Sequence, residues 1–99
     1  MISGIGIDIV EIERFRQLLK DGETRFLFNT FSDEEQGYCL AYEDSATHFA
    51  GTFAAKEAVQ KATGEFSLLL NQICIHRADS GKPEVFIKGR LDTSILISI

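Results

Sequence analysis

The chain has 99 residues, 44% apolar and 25% charged, with a net charge of −5. That suits one globular domain over residues 1–99 with a thin margin of stability, and eight Phe speak against disorder. No apolar run approaches the roughly 20 residues of a membrane span, the opening residues lack the basic region of a signal peptide, and the acidic total argues against a general nucleic-acid binder.

Residues 2–10 alternate with period 2, placing Ile5, Ile7 and Ile9 on one face, and so predict a strand. Residues 11–20 switch to helical spacing, with Ile12, Phe15, Leu18 and Leu19 on one stripe and Gly22 as a stop. Ser32-Asp-Glu-Glu35 has the form of a capping box, so a second helix is expected from there to about residue 43. Asp44 or Ser45 is placed to cap a third helix that ends at Gly64, a suitable C′ glycine. Its alanines at 50, 54, 58 and 62 form a smooth ridge for close approach of another element.

Two short apolar runs, Gln72–Arg77 and Glu84–Lys88, flank Asp79-Ser-Gly-Lys-Pro83 and read as a β-hairpin. Residues 95–99 form a last apolar strand. This order favours an α+β fold, with helices on one face of a mostly antiparallel sheet.

Cys39 and Cys74 fit a reduced, cytoplasmic protein and read as small buried fillers. His48 and His76 stand apart from each other and from both cysteines, which makes a zinc site improbable. Asp8 is more telling, because a carboxylate within an apolar strand needs solvent, a partner or a cation. Gly4 and Gly6 beside it suit close approach by a ligand. Lys56, Glu57 and Lys61 lie on an otherwise apolar helix. Glu57 and Lys61 have the i,i+4 spacing of a surface ion pair, but projecting inward toward Asp8 they would form a small charged pocket. Two carboxylates and a lysine suit Mg²⁺ with a phosphate ligand, since Mg²⁺ takes one or two protein carboxylates and fills its shell with water and phosphate oxygens. Gly81-Lys82-Pro83 is turn chemistry first, with Lys82 free to meet a phosphate.

Two segments carry a resemblance: Gly4-Ile-Gly-Ile-Asp8-Ile-Val-Glu-Ile12-Glu-Arg14-Phe, and Phe49-Ala-Gly-Thr-Phe-Ala-Ala-Lys56-Glu57-Ala-Val-Gln-Lys61-Ala. Together they resemble the short-chain 4′-phosphopantetheinyl transferases of the holo-[acyl-carrier-protein] synthase type. The resemblance implies transfer of the phosphopantetheine arm of coenzyme A to a serine of apo-acyl carrier protein, with release of adenosine 3′,5′-bisphosphate. It implies that Asp8 and Glu57 hold Mg²⁺ and that Lys61 binds the coenzyme A phosphates. It also implies that Gly81, Lys82 and Pro83 line the adenine end, and that Glu57 or a metal-bound water takes the serine proton. Arg14 is expected to be the main docking contact for the acidic carrier protein, with Arg16, Lys20 and Arg25 nearby, and a homotrimer is implied. Family members carry arginines for the coenzyme A 3′-phosphate where this chain has Ser45, His48 and Thr52. They also continue past a strand like 95–99 into Ser-His and a further strand. The alternative expectation is therefore a shortened, non-catalytic homologue that binds carrier protein or coenzyme A. The strand at 95–99 is then either covered by a neighbouring subunit or the end of a truncated chain.

Overall fold

A computed structural model describes residues 9–65 and 67–95. Four helices precede a hairpin: α1 (Ile9–Asp21), α2 (Thr24–Thr30), α3 (Asp33–Leu40) and α4 (Ser45–Thr63). A 3-10 turn (Leu70–Gln72) leads into β1 (Ile73–Arg77), β2 (Pro83–Ile87) and β3 (Arg90–Leu91). The strands form one antiparallel sheet in the order β1-β2-β3, with Ile75 opposite Val85 and His76 opposite Glu84. The architecture is α+β, with α4 packed on the inner face of the sheet.

Each helix has a local cause. The expected stripe makes α1, where Phe15 is fully buried and Ile12, Leu18 and Leu19 are half-buried. The helix begins earlier than the sequence suggests, since Ile9 and Val10, assigned above to a strand, form its first turn and are exposed. The helical period set by Ile12 and Phe15 extends back through them, and Glu11 suits the positive end of the dipole. The rest of the predicted strand, Asp8 included, lies outside the described residues. Ser32 caps α3 as a full capping box: its hydroxyl accepts from the Glu35 N–H at 3.1 Å, and Glu35 accepts from the Ser32 N–H at 2.9 Å. This helix stops at Leu40 rather than near residue 43, because Asp44 and Ser45 already start α4. Gly64 ends α4 in the left-handed region at φ 69°.

Two elements escape the periodic pattern. Thr24–Thr30 is rich in β-branched and aromatic residues and has no side-chain cap, yet it is helical because Leu27 and Thr30 are buried and Phe26 packs on Phe15 and Phe53. β3 is only two residues long and follows the tight Lys88-Gly89 turn, in which both residues have positive φ, 51° and 82°. For the expected last strand, Ile95 packs against the core in no regular element, and residues 96–99 lie outside the described set.

The core has two lobes joined by α4. Phe15, Leu27, Phe31, Cys39, Phe49 and Phe53 fill the helical lobe; Ala55, Val59, Leu68, Ile73, Ile75 and Val85 fill the lobe under the sheet. The alanine ridge is not the packing surface of α4, because Ala50 is buried, Ala54 and Ala58 are half-buried, and Ala62 is exposed. The packed stripe runs through Phe49, Thr52, Phe53, Lys56 and Val59, whose larger side chains reach the neighbouring elements.

Candidate active site

α1 and α4 run antiparallel. Leu19 and Lys20, in the last turn of α1, line one hollow with Ser45 and Ala46 at the start of α4; nearer the start of α1, Phe15 meets Phe53 with ring centroids 5.5 Å apart. Beyond that contact Ile9 lies about 9 Å from Phe15 along α1 and Glu57 about 6 Å from Phe53 along α4, in the same direction. The entry to α1 and the carboxylate of Glu57 therefore share one end of the helix pair.

Glu57 and Lys61 are both exposed on α4 and are not joined in an ion pair. The surface-pair reading therefore fails, and so does the reading in which both project into the core. The inward ammonium is that of Lys56. Its Nζ is fully buried and lies 2.5 Å from Glu35 Oε1. Glu35 is equally buried; its Oε1 also accepts from the Ser32 N–H, and its Oε2 accepts from the Ile75 N–H at 2.8 Å. One carboxylate thus ties together the N-terminus of α3, the middle of α4 and strand β1. Burial pushes the Lys56 ammonium below its usual range, opposed by the adjoining Glu35 charge. The sequence held the signal, because Lys56 continues the Phe49, Phe53, Val59 stripe at spacings of three and four whereas Glu57 is a step of about 100° off it. Its partner is the glutamate of the capping box.

Arg14 is exposed on α1, with its guanidinium 5.2 Å from the Phe26 ring centroid, 5.4 Å from Phe53, and 2.8 Å from the Glu11 carboxylate. The side chain is therefore held in place on an aromatic bed rather than loose in solvent. Arg16 pairs with Glu13 and Asp44, while Lys20 and Arg25 are exposed.

Gly81 sits in the β1–β2 turn at φ 86°, a conformation that favours glycine, beside the exposed Lys82. Pro83 opens β2 and, with Lys82, Leu91 and Ile95, lines a small cavity of about 140 Å³. The structure does not bring this turn to Glu57 and Lys61. The segment leading into β1 is held at the C-terminal end of α4, where Gln60 donates to the Leu68 carbonyl. Arg77, at the end of β1, lies over the Tyr38 ring, which meets His48 in the first turn of α4; the turn after Arg77 therefore lies toward the N-terminal half of α4.

Cys39 is buried, and burial pushes its thiol up to about 11; Cys74 is half-buried, with Sγ 3.3 Å from the Ser32 hydroxyl. Neither has the depressed pKa of a nucleophile. His48 stacks on Tyr42 with centroids 3.7 Å apart, and His76 Nδ1 lies 2.6 Å from Glu34 Oε2. No helix among the described residues is long and apolar enough to cross a membrane.

The holo-[acyl-carrier-protein] synthase of Syntrophotalea carbinolica is 42% identical over 91 residues, spanning 89% of this chain and 71% of that protein. The enzyme of the same name from Protochlamydia amoebophila is 43% identical over an alignment of 107 positions that covers 100% of this chain and 88% of its own. Among solved structures, holo-[acyl-carrier-protein] synthase from Neisseria meningitidis superposes with a TM-score of 0.65 at 34% identity, covering 88% of this chain and 72% of that one. Residues 4–98 match the family model of the 4′-phosphopantetheinyl transferases, so the chain belongs to the 4′-phosphopantetheinyl transferase superfamily.

Proposed function

We propose that this protein is a holo-[acyl-carrier-protein] synthase, which transfers the 4′-phosphopantetheine group of coenzyme A to a serine of apo-acyl carrier protein. The observation that carries this reading is the likeness, at 42–43% identity, to enzymes of that name over nearly the whole chain. The serine oxygen attacks the phosphorus that bears the pantetheine arm. A new phosphoester bond forms there, the pyrophosphate bond breaks, and adenosine 3′,5′-bisphosphate leaves. Such a transfer asks mainly for alignment and charge neutralisation.

In this reading Glu57, together with Asp8, holds Mg²⁺. The donor chemistry fits: Glu57 offers hard carboxylate oxygens on an exposed helix face, with no cation paired to it among the described residues. The shared end of α1 and α4 supports pairing it with Asp8, one residue before Ile9. When bound, the ion neutralises charge on the pyrophosphate oxygens. Lys61, one turn beyond Glu57, adds a second positive charge for the same phosphates. The serine proton passes to Glu57 or to water beside it. Arg14, held over Phe26 and Phe53, presents a fixed cation to the acidic carrier protein. Gly81, Lys82 and Pro83 would line the adenine end; as that turn lies away from Lys61 within one chain, the reading favours an assembly in which the turn of one copy completes the site of another, as in a homotrimer. A cytoplasmic location suits both substrates.

The test is a mass measurement. Apo-acyl carrier protein incubated with this protein, coenzyme A and Mg²⁺ gains the mass of one phosphopantetheine, and Asp8→Ala and Glu57→Ala abolish the gain. Folded wild-type protein that leaves the carrier unmodified would refute the reading.

A further inference from the structure

The Lys56–Glu35 pair has no contact with the substrates in the reading above, yet it occupies the residue next to the carboxylate on which that reading depends. A buried ion pair is weak ground for stability, because well-packed apolar residues of similar volume usually serve as well or better. On the sheet side the apolar contacts of this stretch of α4 come from Ala55 and Val59, while Phe53, one turn earlier, packs into the helical lobe; apolar burial by itself is non-directional. The Lys56 ammonium is different. It meets an oxygen that is itself fixed by the Ser32 N–H at 2.9 Å and whose partner oxygen is fixed by the Ile75 N–H at 2.8 Å. The rotation of α4 about its own axis at this level is thereby set against both α3 and β1.

We propose that the Glu35–Lys56 pair is a positioning device that fixes the outward direction of the neighbouring Glu57 carboxylate, which lies about 100° round the helix from Lys56. This rests on the reading of Glu57 as a ligand of the divalent cation. The lever is short. A carboxylate about 6 Å from the helix axis moves about 1 Å for each 10° of rotation, and groups that orient a metal ligand typically control about 10–100-fold in metal affinity. Glu35 and Lys56 are therefore positioning residues rather than catalytic ones.

The test measures Mn²⁺ binding by the loss of its free electron paramagnetic resonance signal, with Mn²⁺ alone as the probe, since it accepts the same carboxylate oxygens as Mg²⁺. The double variant Glu35→Gln/Lys56→Met replaces the charged pair by neutral groups of similar size. We expect it to retain its circular dichroism spectrum and to bind Mn²⁺ about tenfold more weakly. Val59→Ala, which thins the same helix contact without touching the pair, lowers Tm and leaves Mn²⁺ binding unchanged. Wild-type affinity in the double variant overturns the proposal, as does an equal loss in Val59→Ala. Glu57→Gln separates the two levels: if it binds Mn²⁺ like wild type, the ligand reading itself is wrong and the proposal goes with it. If it loses Mn²⁺ while the double variant does not, only the positioning role is refuted. Should the double variant fail to fold, Glu35→Asp, which keeps the charge but draws it back by one methylene, is read by the same two outcomes.

Discussion

Phe15→Ala tests the claim that one ring holds the helical lobe together. Phe15 is fully buried, and its ring lies 5.5 Å from Phe53, 5.9 Å from Phe26 and Phe31, and 6.3 Å from Phe49. Truncating a core Phe to Ala costs about 3–5 kcal/mol, more when the surroundings cannot close on the void. Here the four neighbours belong to α2, to the residue that ends α2, and to α4, so no single side-chain movement fills the space. We therefore expect about 4–5 kcal/mol. Set against a total of roughly 5–15 kcal/mol for a domain this size, that removes from about a quarter to all of the stability, with Tm lower by about 16–40 °C. Urea denaturation followed by circular dichroism should show a lower midpoint with an unchanged m-value. Phe28→Ala is the control, because Phe28 is 63% exposed, and its change should stay within about 0.5 kcal/mol. A loss at Phe15 below about 2 kcal/mol, or one equal to that at Phe28, would show that the ring cluster is not what joins α1 to α4.

Three further outcomes are expected. Arg14→Glu should raise KM for carrier protein about tenfold at low salt, with kcat retained and the effect fading as ionic strength rises; an unchanged KM would remove Arg14 from the docking face. Glu34, hydrogen-bonded to His76, raises the imidazole pKa above its ordinary value. A group whose folded pKa is raised contributes its full stability below the unfolded value and loses it as pH rises through the folded one. The Tm difference between wild type and His76→Gln should therefore be largest near pH 6 and shrink toward alkaline pH, and a difference that stays flat between about pH 6 and 9 would contradict the linkage. With its thiol pushed up to about 11 and its side chain buried, Cys39 should resist iodoacetamide at about pH 8 in the native state and react once urea unfolds the chain. Peptide mass spectrometry reads this directly, and rapid native labelling of Cys39 would mean that the helical lobe opens easily.

The sequence by itself determined the elements whose causes are local. The capping box at Ser32–Glu35, the left-handed stop at Gly64, the apolar stripe of α1 and the alternating runs of the hairpin each depend on a few neighbouring residues, and each appears where those residues place it. The motifs around Arg14 and Lys56–Lys61 were equally legible, which is why family membership could be read from them. Elements that draw their stability from distant contacts were not. The α2 helix exists because Phe26 and Leu27 meet residues of other helices. The most consequential decision was tertiary as well. Helical spacing places Lys56 nearer the middle of the apolar stripe than Glu57, but only the positions of α3 and β1 supply the buried carboxylate that lets an ammonium enter the core. Glu35 meets Lys56 there because three separate elements converge on one buried carboxylate, and Glu57 is left facing outward, one helical step away.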